Sequence, residues 1–194
     1  MLPTIALEAL FASLLIDAHE GRLVHTFDVP GAYLHASLPD DKVLNMKSEG
    51  EFADIVCEVN PEYEIFLIYE KVKKVLYVMI LKAIYGMIES SLIWYNLFST
   101  TLSDLGFKLN PYEQCIANKF IVEHQCTIGW SVDNNKVSHM YDNVYSMIAD
   151  KIEETFGEIS HTTGNNHTFL GTDIEFIGGK KVTVSTSHHV DEAL

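Results

Sequence analysis

Arginine is almost missing from this chain: Arg22 is the only one in 194 residues. Lysine and arginine total 13 against 27 acidic residues, a formal net charge of −14. Tight nucleic-acid binding depends on basic contacts to phosphate, so the overall composition works against it. Any such function must come from a local site or from segments outside this chain. Cysteine is scarce as well. Cys57, Cys115 and Cys126 are an odd number without ligand-like spacing, which argues against a zinc site and a disulfide framework. They point to buried thiols in a reducing compartment, cytoplasmic or nuclear rather than secreted. No apolar run approaches the ~20 residues that cross a bilayer, so no membrane partner is expected. The opening "MLPTIALEALFASLLIDAHEGR" has no basic n-region and carries Glu8 and Asp17, which makes it an amphipathic helix rather than a signal peptide. Repeats, low-complexity tracts and linkers are absent too, so residues 1–194 read as one domain.

What is present is a 47% apolar chain with 21% charged residues, enough to build a core and too apolar for wholesale disorder. Leu7, Leu10, Phe11 and Leu14 recur at helical spacing and predict a helix over 5–19. "RLVHTFDV" alternates as a short strand with Val24, Thr26 and Asp28 on one face, and Pro30-Gly31 ends it. "KVLNMK" reads as a strand, "EFADIVCEV" as a short helix, and "VLYVMIL" (75–81) as a buried strand. After Gly86 the period changes. Trp94, Leu97, Phe98, Thr101, Leu102 and Leu105 share a helical face, with Gly106 at the C-cap. "CIANKFIV" and "CTIGWSV" form a hairpin turning at Glu123-His124-Gln125. A helix over 142–156 turns Val144, Met147, Ile148 and Ile152 inward, and "HTFLGTDIEFIGGKKVTVSTS" is a second hairpin turning at Gly178-Gly179. The class is α+β with mostly antiparallel pairing.

Four blocks carry chemistry, in order. They are "HTFDVPGAYLHASL", "LKAIYGMIESSLIWYNLFSTTLSDLGF", "NPYEQCIANK" with "CTIGWSVDNNKVSH", and "HTFLGTDIEF". Together they resemble the reverse transcriptase domain of copia-type retrotransposon polyproteins over nearly the whole length. The resemblance implies a polymerase palm-like antiparallel sheet flanked by helices, with partial fingers, no complete thumb and the other polyprotein domains missing. It implies RNA-directed DNA polymerisation on an RNA or DNA template-primer with deoxynucleotides. Such nucleotidyl transfer uses two divalent cations about 3.5 to 4 Å apart. Magnesium prefers carboxylate oxygens, so aspartates must meet from neighbouring strands. Asp28 on its strand and Asp133 on the hairpin turn fit that need, and the resemblance adds the Val29 carbonyl as a further metal ligand. Alternation puts Thr127, Gly129, Ser131 and Asp133 on one small, polar face with room for metals and a primer end. Cys126, Ile128, Trp130 and Val132 take the other, apolar face.

The pattern departs at Asn134, where the family has a second aspartate. An amide oxygen still ligates magnesium but brings no charge, and one unit charge at ~4 Å is worth about 4 kcal/mol at an effective dielectric near 20. The expectation is an impaired copy. Asn134 is equally a good turn residue, because asparagine tolerates positive φ. The segment before Trp94 also lacks an arginine that some relatives carry. Tyr33 reads either as the aromatic that excludes a sugar 2′-hydroxyl or as a half-buried core ring. Asp28 and Asp133 have a plainer reading as turn-proximal acids. Trp94, Tyr95, Phe98 and Leu102 read as helix core, "KVKK" at 71–74 as a charged hairpin tip, and His161, His167, His188 and His189 as solvated surface histidines. The rival to a polymerase is a non-catalytic acidic globular remnant acting in interaction or structure.

Overall fold

The computed structural model describes residues 3–39 and 41–186; His188 and His189 lie outside them. Among the described residues the α+β class holds, with three antiparallel sheets and five α-helices.

The main sheet has six strands. β1 (Leu23–Asp28) lies between β8 (Asn134–His139) and β9 (Ser160–Thr163). Beyond β8 come β7 (His124–Ser131), β6 (Ile116–Ile121) and the short β5 (Lys108–Leu109). Its register sorts the side chains. Opposite residues share a face, so Asp28 goes with Asn134, Thr26 with Lys136, and Lys136 with Gly129. The other face carries Cys126, Ile128, Trp130 and Val137, all buried. Against it pack α4 (Ser90–Asp104), through fully buried Phe98 and Leu102, and α5 (Asp142–Phe156), through Ile148 and Ile152. Trp130 meets Phe98 edge-on at 5.6 Å, and Trp94 meets Phe156 at 5.1 Å, geometries that aromatic quadrupoles favour.

The Asp28 face is not open as expected. α1 (Leu7–Glu20) and the residues that flank it close part of it. Ile5 N–H bonds the Trp130 carbonyl at 3.2 Å, and Thr4 bridges Ser131. A Cβ on Gly129 would lie 3.0 Å from Ile5 Cδ1, so the glycine admits the chain rather than a ligand. Lower down, Lys136 Nζ pairs with Asp17, both side chains fully buried, and Arg22 donates to Thr127 Oγ1 at 3.0 Å. Thr127 and Ser131 are buried as a result.

A small sheet, β2 (Leu44–Glu49), β4 (Lys73–Ile80) and β3 (Ile68–Glu70), stands apart with α3 (Glu51–Val59) packed on it. Its core is limited to residues such as Ala53, Cys57, Val75 and Leu76. The 75–81 strand is therefore not buried throughout: Tyr77, Met79 and Leu81 are exposed, on a sheet covered by α3 and the 61–66 helical turn. The charged-tip reading holds, with Lys71 and Val72 at positive φ between β3 and β4.

The third sheet orders β10 (Asn166–Phe169), β11 (Thr172–Gly178) and β12 (Lys181–Ser185) as a meander. Its second turn falls on Gly179 and Lys180, both at positive φ, one residue later than expected. The β6–β7 turn likewise falls on Val122 and Glu123, not 123–125. Both corrections have one cause: the pairing register places the two left-handed residues. Met147 is 47% exposed rather than inward. His167 is buried rather than solvated, while His161 is exposed.

Candidate functional site

Asp28 ends β1, and Asp133 sits in the two-residue turn between β7 and β8. The register sets Asp28 opposite Asn134, and Val29 N–H donates to the Asp133 carbonyl at 3.1 Å. Fully buried Asn135 clamps the same joint, its amide donating to the carbonyls of Asp133 and Phe27. Three backbone segments are thus fixed around two half-buried carboxylates. Burial, and then the charge of Asp133, hold the Asp28 carboxyl above the usual carboxylate range. Desolvation and a like charge both disfavour ionisation, and a cation would relieve both.

The turn is strained. Val132 has φ 55° while Asp133 keeps negative φ, the type II′ pattern in which glycine normally takes the first central place. A β-branched residue there is a real outlier. Trp94 Nε1–H donates to the Val132 carbonyl at 2.7 Å, so α4 holds the turn in that shape. Strain of this kind collects at functional sites, where surrounding structure over-determines it. Asn134, read as a turn residue, lies just outside the two-residue turn and has no positive φ. It opens β8, and its Nδ2 donates to Asp133 Oδ1 at 3.0 Å.

Tyr33 sits on the four-residue α2 (Ala32–His35), half-buried against the core. Its hydroxyl meets Ser91 Oγ at 3.0 Å, and its ring lies 4.7 Å from that of Tyr85. Tyr85 is 57% exposed. Burial, followed by the charge of Asp133 and then Tyr33 and Asp28, raises its phenol pKa, so it shares the acids' surroundings. Sequence reasoning passed over Tyr85 and Ser91. The Tyr-Gly pair was visible, but nothing local ties residue 85 to residue 33. On the other side of Asp28, Ser160 is its cross-strand partner, and an open pocket of about 150 Å³ is lined by Asp28, Asn134, Ser160, His161 and Thr168.

Among the described residues no group of three or more His, Cys, Asp or Glu side chains gathers as a cation site. Any cation here would rest on two carboxylates, the Asn134 amide oxygen and backbone carbonyls. Such hard oxygen donors fit magnesium in kind, though with one charge fewer than three carboxylates would give. Basic residues that could hold a phosphate backbone are largely engaged. Lys47, Lys73 and Lys74 pair with Glu70, Glu49 and Asp54. No described helix is long and apolar enough to cross a membrane.

No curated protein matches the chain in sequence. Among solved structures, that of apo telomerase from Candida tropicalis truncated from its C-terminal domain shares 13% identity at a TM-score of 0.49. The match covers 93% of this chain and 40% of that one. Telomerase from Candida albicans in complex with the TWJ fragment of telomeric RNA shares 10% identity at 0.42, over 89% of this chain and 34% of that one. A family model described as reverse transcriptase (RNA-dependent DNA polymerase) matches residues 1–192, and by that match the chain belongs to the reverse transcriptase family.

Proposed function

We propose that this chain is the palm-centred part of a copia-type retrotransposon reverse transcriptase, with Asp28 and Asp133 as magnesium ligands. What carries the reading is the joint between them: one half-buried carboxylate ending β1 and one on the β7–β8 turn, fixed by the Val29 N–H to Asp133 carbonyl bond, with burial and then the Asp133 charge holding Asp28 above the usual carboxylate range. When bound, two magnesium ions activate the attacking 3′ oxygen and stabilise charge on the transferring phosphoryl group. The protein's own part is positional. Asp28 and Asp133 orient the cations, the Val29 carbonyl completes the set, and Tyr33 bounds the space for the incoming sugar. RNA or DNA template-primer and deoxynucleotides are the implied partners.

Asn134 weakens the site twice. It withholds a negative charge, and its amide already occupies Asp133 Oδ1. A rival reading, a non-catalytic acidic remnant, draws on the same bond and on the net charge of −14.

Isothermal titration with magnesium separates the two. Asn134→Asp is expected to tighten magnesium binding about tenfold or more, since even half of a ~4 kcal/mol charge term exceeds the 1.4 kcal/mol of one decade. Parent protein should show little or no primer extension with magnesium or manganese. If Asn134→Asp still binds no magnesium, the ligand assignment fails and the remnant reading stands.

A further inference from the structure

Tyr33 is a poor gate on its own. It belongs to a helix of only four residues that follows Gly31 at φ 63°, so little secondary structure fixes its ring. Rejecting a nucleotide that merely adds a hydroxyl requires a wall that does not yield, because isosteres with one extra hydroxyl are otherwise weakly discriminated. Two neighbours supply the stiffness. Ser91 Oγ lies 3.0 Å from the Tyr33 hydroxyl. Ser91 is buried in the first turn of α4, a 15-residue helix. One turn further on, Trp94 of the same helix bonds the Val132 carbonyl at 2.7 Å. A single rigid element therefore sets the distance between the Tyr33 ring and the Asp133 turn. Tyr85 packs on that ring at 4.7 Å with a 52° tilt.

We propose that Ser91 and Tyr85 set the sugar selectivity of this nucleotide site, Ser91 by pinning Tyr33 through its hydroxyl and Tyr85 by packing against its ring. The inference rests on the nucleotide-binding reading above. Ser91 is a positioning residue that acts through Tyr33, and it does so by tying the gate to the helix whose Trp94 bonds the Asp133 turn.

The test is binding of dATP and of ATP, each with magnesium, to the full chain by titration calorimetry. A separate titration with magnesium alone runs beside it. Parent protein should prefer dATP by about tenfold. Ser91→Ala and Tyr33→Phe each delete the same hydroxyl contact, and each should reduce that preference to about twofold, while with Ser91→Ala the dATP affinity should hold within about threefold. The double variant should change nothing further, as expected of two halves of one interaction. Tyr85→Ala, at an exposed ring, should also lower the preference. If Ser91→Ala does not fold by circular dichroism, Tyr33→Phe and Tyr85→Ala carry the same comparison. An unchanged preference in these variants, or additive losses in the double variant, overturns the inference. Magnesium binding without any sugar preference in the parent overturns it and leaves the metal site standing. Absence of both magnesium and nucleotide binding removes the site itself.

Discussion

His25 and His167 show what single residues do when the fold closes over them. His25 is buried, stacked on Tyr145 at 4.0 Å and 3°. Asp142 Oδ1 approaches its Nε2 at 3.3 Å. Burial first, then His167 and His161, pull the imidazole below its ordinary 6.5, and Asp142 opposes them. His167 donates from Nε2 to the Gly164 carbonyl at 2.9 Å, so Nδ1 accepts from Thr26 at 3.2 Å. Burial lowers its pKa also, against that backbone bond. Both rings are easier to protonate in the unfolded chain. Their contribution to stability is complete above about pH 6.5 and is lost as pH falls through the depressed native values. His25→Phe keeps the stack and removes one titrating ring. Its melting temperature should fall less than the parent's between about pH 7.5 and about pH 5; parallel curves would contradict the assignment. The burial of His167 was not legible in the sequence, where it reads as a solvated surface histidine.

At the scale of elements, the helices were the most readable parts. α4 and α5 follow their apolar stripes with Met147 the exception, because helical period is a local property and Gly106 and Gly157 mark the ends. Turns were displaced by a residue, since cross-strand register outranks turn-residue preference, even to the point of giving Val122 and Val132 positive φ. The covering of the Asp28 face by α1 could not be read at all. Asp17 looked like one polar residue on an amphipathic helix, and Lys136 like part of a polar turn region. Packed together, with side chains at 0% exposure, they tether α1 to β8. Removing one partner of a buried pair leaves a stranded charge. Asp17→Ala should therefore cost about 3 to 5 kcal/mol in urea unfolding, whereas Asp17→Leu with Lys136→Met should recover most of it. A single-variant loss below about 1 kcal/mol would show that the tether matters little.

For the molecule as a whole, charge dominates. A net −14 on 194 residues works against the compact state by self-repulsion, and many lysines serve local pairs rather than a nucleic-acid groove. Added salt shortens the Debye length from about 10 Å at 0.1 M to about 3 Å at 1 M. Raising sodium chloride from about 0.02 M to about 0.5 M should thus increase the melting temperature by a few degrees, with exposed ion pairs giving back only a little. A falling melting temperature would mean that the surface pairs outweigh the net repulsion.

Sequence by itself determined the local facts: the helical stripes, several of the strands, the acids at residues 28 and 133, and the amide at 134. Periodicity and residue chemistry are written along the chain, so they can be read along it. The tertiary structure alone decided which sheet face α1 closes, that a valine bears the strained turn, and that Ser91 and Tyr85 meet Tyr33. Those outcomes depend on contacts between distant segments, where packing and register override what each segment prefers alone.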